Sequence, residues 1–386
     1  MRKILKSFFR NHWRILAIAA ILCCVTWPSS ILAAPLITGV TGTVADGQQV
    51  NISGAGFGAL GPTVVMYDDF ELGTDGSNVS DRTRNARVGT WRDVSDKIGP
   101  YYPTYSNLQA HSGKLSLRQN WGSGGDNQEG ARWAAPTISS PSSRFFISFW
   151  TFLPSGQNVP GQMISSPNWK LYWLSTNDVF QNDYGAGLGD NNLPSEIYPV
   201  SWINGSQNRA QVGYTSMPFT KGRWARFDVS IVGSQSSGNV TAWYVDAATP
   251  WYRVGSQNGR TLDDGTTGWG YLHFPGYGRY DTNSNTYYDD IYVATGPGAL
   301  ARVEMGNNPI YSSCTNLSII TPSSWSNSSI TATVRKGAFP AGSAAYLFVV
   351  DSAGEASTGF PVTIGSGGSQ PASILPPAGL RVINGS

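Results

Sequence analysis

Charge is scarce in this 386-residue chain, with 26 Lys plus Arg against 24 Asp plus Glu and a net charge of +2. Nucleic acid is recognised through a dense basic stripe, and this composition supplies none, so that class of partner is excluded. Cysteine is almost absent. Cys23 and Cys24 fall in an N-terminal apolar run, which leaves Cys314 without an internal partner and the fold without a disulfide framework. Histidine is equally rare: beyond the N-terminal segment only His111 and His273 could do imidazole chemistry. No G-x-S-x-G elbow, phosphate-cradling loop or Cys/His zinc cluster occurs. Helical periodicity is hard to find after residue 35, so the fold must rest on packed strands.

Glycine, asparagine, serine and aromatics are plentiful. The N-terminus reads Arg2, Lys3, Lys6, Arg10 and Arg14, then "ILAIAAILCCV", then "SSILAA": basic, apolar and small, the order of a secretory signal peptide. The apolar run is short for a bilayer span. Residues 1–34 are therefore expected to be a cleaved leader and the mature chain secreted, extracellular or at the cell surface, without stable membrane insertion. A retained anchor is the alternative, since Pro35 is an awkward residue to follow a cut after Ala34.

From residue 35 onward, short alternating runs are separated by Gly, Asn, Ser and Pro clusters, which is the pattern of an all-β sandwich. "RFFISFWTFLP" sends Phe145, Ile147 and Phe149 to one face and Phe146, Ser148 and Trp150 to the other. "RWARFDVSIVG" sets Phe227, Val229 and Ile231 against Trp224, Arg226 and Asp228, and "NVTAWYVDA" follows as a hairpin partner. "NWKLYWLS" is expected to place Trp169, Leu171 and Trp173 on one face, with Lys170 and Tyr172 on the other.

"PLITGVTGTVADGQQVNISGAGFG", residues 35–58, resembles the opening half of an IPT/TIG domain, an immunoglobulin-like sandwich. Gly47, the run Val50 to Ile52, and Gly54, Gly56, Phe57 and Gly58 carry the likeness. "SWSNSSITATVRKGAFPAGSAAYLFVVDSAGEASTGFPVTI", residues 324–364, resembles the missing second half. Each half has too few strands to be stable alone. One domain split by an insertion is the implied organisation: 35–66 first half, 67–310 inserted domain, 311–364 second half, 365–386 flexible tail. The insert resembles concanavalin A-like jelly rolls of carbohydrate-binding modules, lectins and some polysaccharide lyases, on "DDFE", "HSGKLSLR", "RFFISFW", "GRWARFDV" and "YYDDIYVA". The expected fold is thus a jelly-roll β-sandwich inserted into a small immunoglobulin-like β-sandwich.

"YDDFELG" (67–73) and "YYDDIYVATG" (287–296) would be the first and last strands of the insert, and its two junctions should bring them side by side. Asp68, Asp69, Glu71, Asp289 and Asp290 then form an acidic cluster, and carboxylates on an apolar face need compensation. Related jelly rolls often hold a structural calcium there, so Ca2+ is the implied cofactor; bonding to Arg or to turn amides is the alternative. Aromatics form a second set. Trp269, Tyr271, Tyr277 and Tyr280 lie in a Gly-punctuated loop and, with Arg226, could bind sugar by ring stacking and hydrogen bonding. Trp150 and Trp243 are expected in the core. Lyases of this fold use Tyr and His for proton transfer with Gln and a cation at the uronate carboxylate, and that resemblance implies Gln162, Lys170, Tyr172 and His273 as the catalytic set. The expected function is a polysaccharide- or surface-glycan-binding protein, with a uronate-polymer lyase or a non-catalytic matrix component as alternatives.

Overall fold

The computed structural model describes residues 34–79, 86–94, 102–122, 133–164, 169–176, 184–188, 197–198, 219–274 and 278–365. Residues 1–33 of the leader expected over 1–34, Tyr277 and nearly all of the tail expected over 365–386 lie outside them. The strands in chain order begin β1 (Leu36–Gly42), β2 (Gln49–Ala55), β3 (Thr63–Asp68), β4 (Trp91–Val94), β5 (Thr104–Ser106), β6 (Ser116–Asn120) and β7 (Trp133–Pro136). They continue with β8 (Arg144–Phe152), β9 (Trp169–Ser175), β10 (Tyr184–Leu188), β11 (Ile197–Tyr198), β12 (Ala225–Val232), β13 (Gly238–Asp246) and β14 (Thr249–Gly259). The last are β15 (Tyr271–His273), β16 (Asn285–Thr295), β17 (Arg302–Gly306), β18 (Leu317–Trp325), β19 (Ser329–Thr333), β20 (Ala344–Val350) and β21 (Phe360–Thr363).

Among the described residues the chain is nearly all β: a jelly-roll sandwich and a smaller immunoglobulin-like sandwich whose strands come from both sides of it in the sequence. The larger sheet of the jelly roll has eight strands, ordered β14-β13-β12-β8-β16-β6-β5, with β3 also on β16. Facing it is a four-stranded sheet, β11-β10-β9-β15. The strands alternate as written in the sequence. Phe145, Ile147, Phe149, Phe227, Val229 and Ile231 point inward and meet Trp169, Leu171, Leu174, Leu272 and Phe274 from the second sheet. Each such side chain contributes about 1.5–3 kcal/mol when fully buried. Trp269 belongs to this core and has no exposed surface.

The smaller sandwich draws on both ends of the chain. β2 pairs antiparallel with β19, Ile52 opposite Ile330 and Val50 opposite Ala332. β18 serves two layers: its first half pairs with β17 and its second half with β19, across a bulge between Pro322 and Ser324. Val50, Ile52, Phe57, Val303, Ile320, Leu347 and Val349 fill the space so enclosed.

The outward face of the eight-stranded sheet is not left to solvent. Phe146, Trp243, Tyr292 and Ala294 pack with Ile319, while Trp150 and Val245 pack with Leu317, Phe348 and Val350 of the smaller sandwich. Trp150 and Trp243 are buried as expected, in this seam rather than in the main core.

Candidate functional site

β3 and β16 lie side by side, with Ile291 opposite Asp68 and Tyr292 opposite Tyr67, so the two acidic stretches do meet. Their carboxylates are occupied by protein donors. Asp68 accepts from the Phe70 N–H at 2.8 Å and the Trp91 indole at 2.6 Å, while Asp69 takes Arg87 Nε at 2.9 Å. Asp289 accepts the backbone N–H groups of His111, Ser112 and Asp290 at 2.8 to 2.9 Å. Asp290 pairs with His111 Nδ1, Ser112 Oγ and Tyr67 OH. Glu71 accepts the N–H groups of Lys114 and Leu115.

The sequence "HSGK" is the loop that supplies these donors. Gly113 holds φ +60°, and a Cβ there would lie 2.4 Å from Glu71 Cδ. Phe70 and Asp290 also adopt positive φ, 59° and 47°, which costs a non-glycine residue energy and here turns the chain to close the cluster. Calcium wants six to eight converging oxygens. Among the described residues no group of three or more His, Cys, Asp or Glu is arranged to hold a metal. Asp68, Asp69, Glu71, Asp289 and Asp290 fit a protein-bonded junction better than a cation cage.

Arg226 was expected at a sugar. It is instead 1% exposed in the seam between the sandwiches, where it donates to both Asp228 oxygens at 2.7 and 2.9 Å and to Glu304 at 2.8 Å. Arg302 completes the group, bonding Glu304 through Nε and Tyr311 OH at 2.8 Å, while Tyr311 donates to Glu304 at 2.8 Å. No solvent or ligand reaches these charges. Arg226 is a structural ion-pair residue.

The second sheet carries the site that remains. β9 does not alternate simply. Its register against β10 shifts between Ala186 and Gly187, so Leu171 and Tyr172 both enter the core and the positions beyond them change face. Tyr172 packs on Phe149 and Phe274, centroids 6.0 and 6.4 Å away, and so leaves the expected catalytic set. Trp173 moves to the face turned away from the core. There it sits directly opposite His273 of β15, as Ser175 sits opposite Tyr271. Residues directly opposed in an antiparallel pair share a face. Lys170 shares that face, two positions before the bulge ends, and is 6% exposed.

Arg92 of β4 lies over the Tyr271 ring, 4.6 Å from its centroid, and both are half-buried. Burial, and then the Arg92 charge, push the His273 imidazole down to about 3, so it is neutral at ordinary pH. The face thus gathers a buried lysine, a neutral imidazole and an indole, with a half-exposed tyrosine and guanidinium at its edge.

Gln162 is not part of it: its Oε1 accepts the Val159 N–H at 3.0 Å and closes its own short turn. Trp269 is core, Tyr280 is half-buried, and Tyr277 lies outside the described residues. Of the residues singled out in the sequence, Tyr271 and His273 lie on this face of β15 and Lys170 on the same face of β9. Trp173 and Arg92 were missed. The one available signal was Gly187, since glycine within a strand often marks a bulge.

No family model matches the chain, and no curated protein matches it. Among solved structures it is similar to the catalytic domain of a glycoside hydrolase family 131 protein from Coprinopsis cinerea (16% identity, 61% of this chain and 95% of that one, TM-score 0.38). It is also similar to a cellulose induced protein, Cip1 (15% identity, 60% and 97%, TM-score 0.38). A third similar structure is the CBM22-1 xylan-binding domain from Paenibacillus barcinonensis Xyn10C (12% identity, 61% and 97%, TM-score 0.27). At such values the likeness is an outline of strands and does not define this chain's ligand.

Proposed function

We propose that this chain is a secreted or surface-displayed polysaccharide-binding protein whose jelly roll holds the glycan on the outer face of β9 and β15. The observation that carries this reading is the opposed arrangement of Trp173 with His273 and Ser175 with Tyr271. Lys170, Trp173, Ser175 and His273 are buried on that face and Tyr271 and Arg92 are half-buried at its edge, so Tyr271 is the ring offered to a ligand. Aromatic rings can stack on the apolar side of a sugar while neighbouring polar groups take its hydroxyls. The smaller sandwich is read as an IPT/TIG-like support; Phe57 in its core and the β2–β19 pairing agree with that assignment. Secretion rests on the basic, apolar and small order of the leader.

A glycan array probed with the full chain tests the reading. Binding to at least one polysaccharide is expected, with Tyr271→Ala weakening it about tenfold, the loss of one well-placed stacking ring. Absence of binding to every polysaccharide, or an unaltered Tyr271→Ala variant, would overturn it.

A further inference from the structure

We propose a second glycan site, remote from the β9–β15 face, in the groove where the two sandwiches meet, and that it takes a neutral oligosaccharide. The groove holds about 360 Å3, within the range of roughly 300–1,000 Å3 usual for small-ligand sites. Its floor is Trp251 on β14, the edge strand of the jelly roll. One wall is the turn around Ile310 to Ser312, and the other is the hairpin turn carrying Glu355 and Thr358, both from the smaller sandwich. A ligand there would touch both parts of the molecule at once.

The floor is rigid. Trp251 lies nearly parallel to Trp243, at 14° with centroids 5.9 Å apart, and Tyr311 meets its ring edgewise at 4.7 Å. Its indole donates to Asp228 at 3.3 Å, which ties the ring to the buried ion pairs of the seam. The walls are fixed as well. The Gly359 N–H donates to the Pro309 carbonyl at 3.1 Å, joining one wall to the other. Asp351 accepts the N–H groups of Ala353 and Glu355 at 2.9 and 3.0 Å and sets the turn that presents Glu355. Little ordering is left for a ligand to impose, which lowers the cost of binding.

The lining chemistry selects the ligand. Trp251 and Ile310, the latter 61% exposed, offer apolar contact to the C–H face of a sugar ring. Glu355, Ser312 and Thr358 are exposed and offer a carboxylate acceptor and two hydroxyls to ring hydroxyls. Glu355 is the single charged side chain of the lining, so phosphates, sulfates and uronates are repelled. This is the opposite polarity to the face that carries Lys170 and Arg92. A small quaternary ammonium is the other class a carboxylate beside a tryptophan would attract, and it serves as the discriminating control.

Calorimetric titration of the full chain with cellohexaose, xylohexaose and mannohexaose, and separately with choline, tests the proposal. At least one hexasaccharide is expected to bind with an affinity lowered about five- to tenfold by Glu355→Gln and more than about tenfold by Trp251→Ala, the scale of a removed contact and a removed anchor. Tyr271→Ala should leave this binding in place. Because Trp251→Ala also thins the seam, Glu355→Gln and Ile310→Asp, both on exposed turns, decide the matter independently of stability. The proposal is overturned if none of the three hexasaccharides binds, or if Glu355→Gln and Ile310→Asp bind like the wild type. Choline binding in place of sugar, or loss of all hexasaccharide binding in Tyr271→Ala, overturns it as well. Failure of the β9–β15 reading would look different, as unaltered polysaccharide binding by Tyr271→Ala beside a Glu355-sensitive site.

Discussion

Among the described residues, the buried carboxylates of the seam and those of the β3–β16 junction are neutralised by different means. At the seam, Asp228 and Glu304 meet the guanidiniums of Arg226 and Arg302. At the β3–β16 junction, Asp68 and Asp289 meet backbone N–H groups and an indole. Burial opposes the Glu304 charge, but Arg226 and Arg302 outweigh it and hold the carboxyl down to about 2. Burial dominates at the junction, raising Asp68 to about 7 and pushing Asp289 well up, with Asp290 adding repulsion. For Glu304 two buried guanidiniums outweigh desolvation, whereas the hydrogen bonds on Asp68 and Asp289 do not offset theirs.

The largest effect should come from unbalancing the seam. Glu304→Gln or Arg226→Met leaves a buried charge unpaired, and a loss of about 3–5 kcal/mol is expected in denaturant unfolding. Replacing all four of Arg226, Asp228, Arg302 and Glu304 by apolar residues, which leaves none of these charges unpaired, should cost clearly less than the sum of the single changes; a cost equal to that sum would mean that the four charges are not coupled.

The pH dependence should separate the two groups by sign. The folded Asp68 carboxyl binds its proton more tightly than the unfolded one, whose ordinary value is 3.8. Its contribution is therefore complete below about pH 4 and lost as pH rises through 7. Glu304 is the reverse: its contribution is present above 4.5 and lost as pH falls through 2. Each limb should amount to about 2–4 kcal/mol. Melting curves across pH should show the rising-pH limb flattened in Asp68→Asn and the acid limb flattened in Glu304→Gln. Both limbs surviving in both variants would refute the assignment.

A smaller loss, about 1–3 kcal/mol, is expected for Asp289→Asn, because an amide N–H would then face one of the three backbone donors that the carboxylate accepts. The smallest effect concerns calcium. With these oxygens already bonded, chelator or added Ca2+ should leave the melting temperature within error; a rise of several degrees with Ca2+ would show that the junction does hold a cation.

The comparison also shows what the sequence could reveal. Alternation along β8 and β12 gave the correct inward residues, since parity is fixed by the pleat. The partner of the opposite face could not be read from parity, so Arg226 looked available to ligand. Its partner Glu304 lies on β17, in another layer, and no local spacing connects them. A clue was present in "ARFD" and "ARVE": Arg226 with Asp228 and Arg302 with Glu304 repeat an Arg-x-acid pattern in a chain with little charge to spend. On β9 the bulge defeated parity, exchanging the places expected for Tyr172 and Trp173. Bulges arise from pairing with another strand, and only the glycine opposite hinted at this one.

The pairing of β2 with β19 has a consequence for the order of events on the ribosome. Roughly 270 residues separate Ala55 from Ser329, so at about 5–20 residues per second β2 waits some tens of seconds for its partner. During that interval β1 and β2 can form only a hairpin, too small to persist alone. The jelly roll, whose last strand β16 emerges before β17, can complete its own sheet in that time and bring β3 and β16 together. An insert completed in this way would hold β3 beside β16 and so bring the C-terminal strands, as they emerge, next to the N-terminal ones.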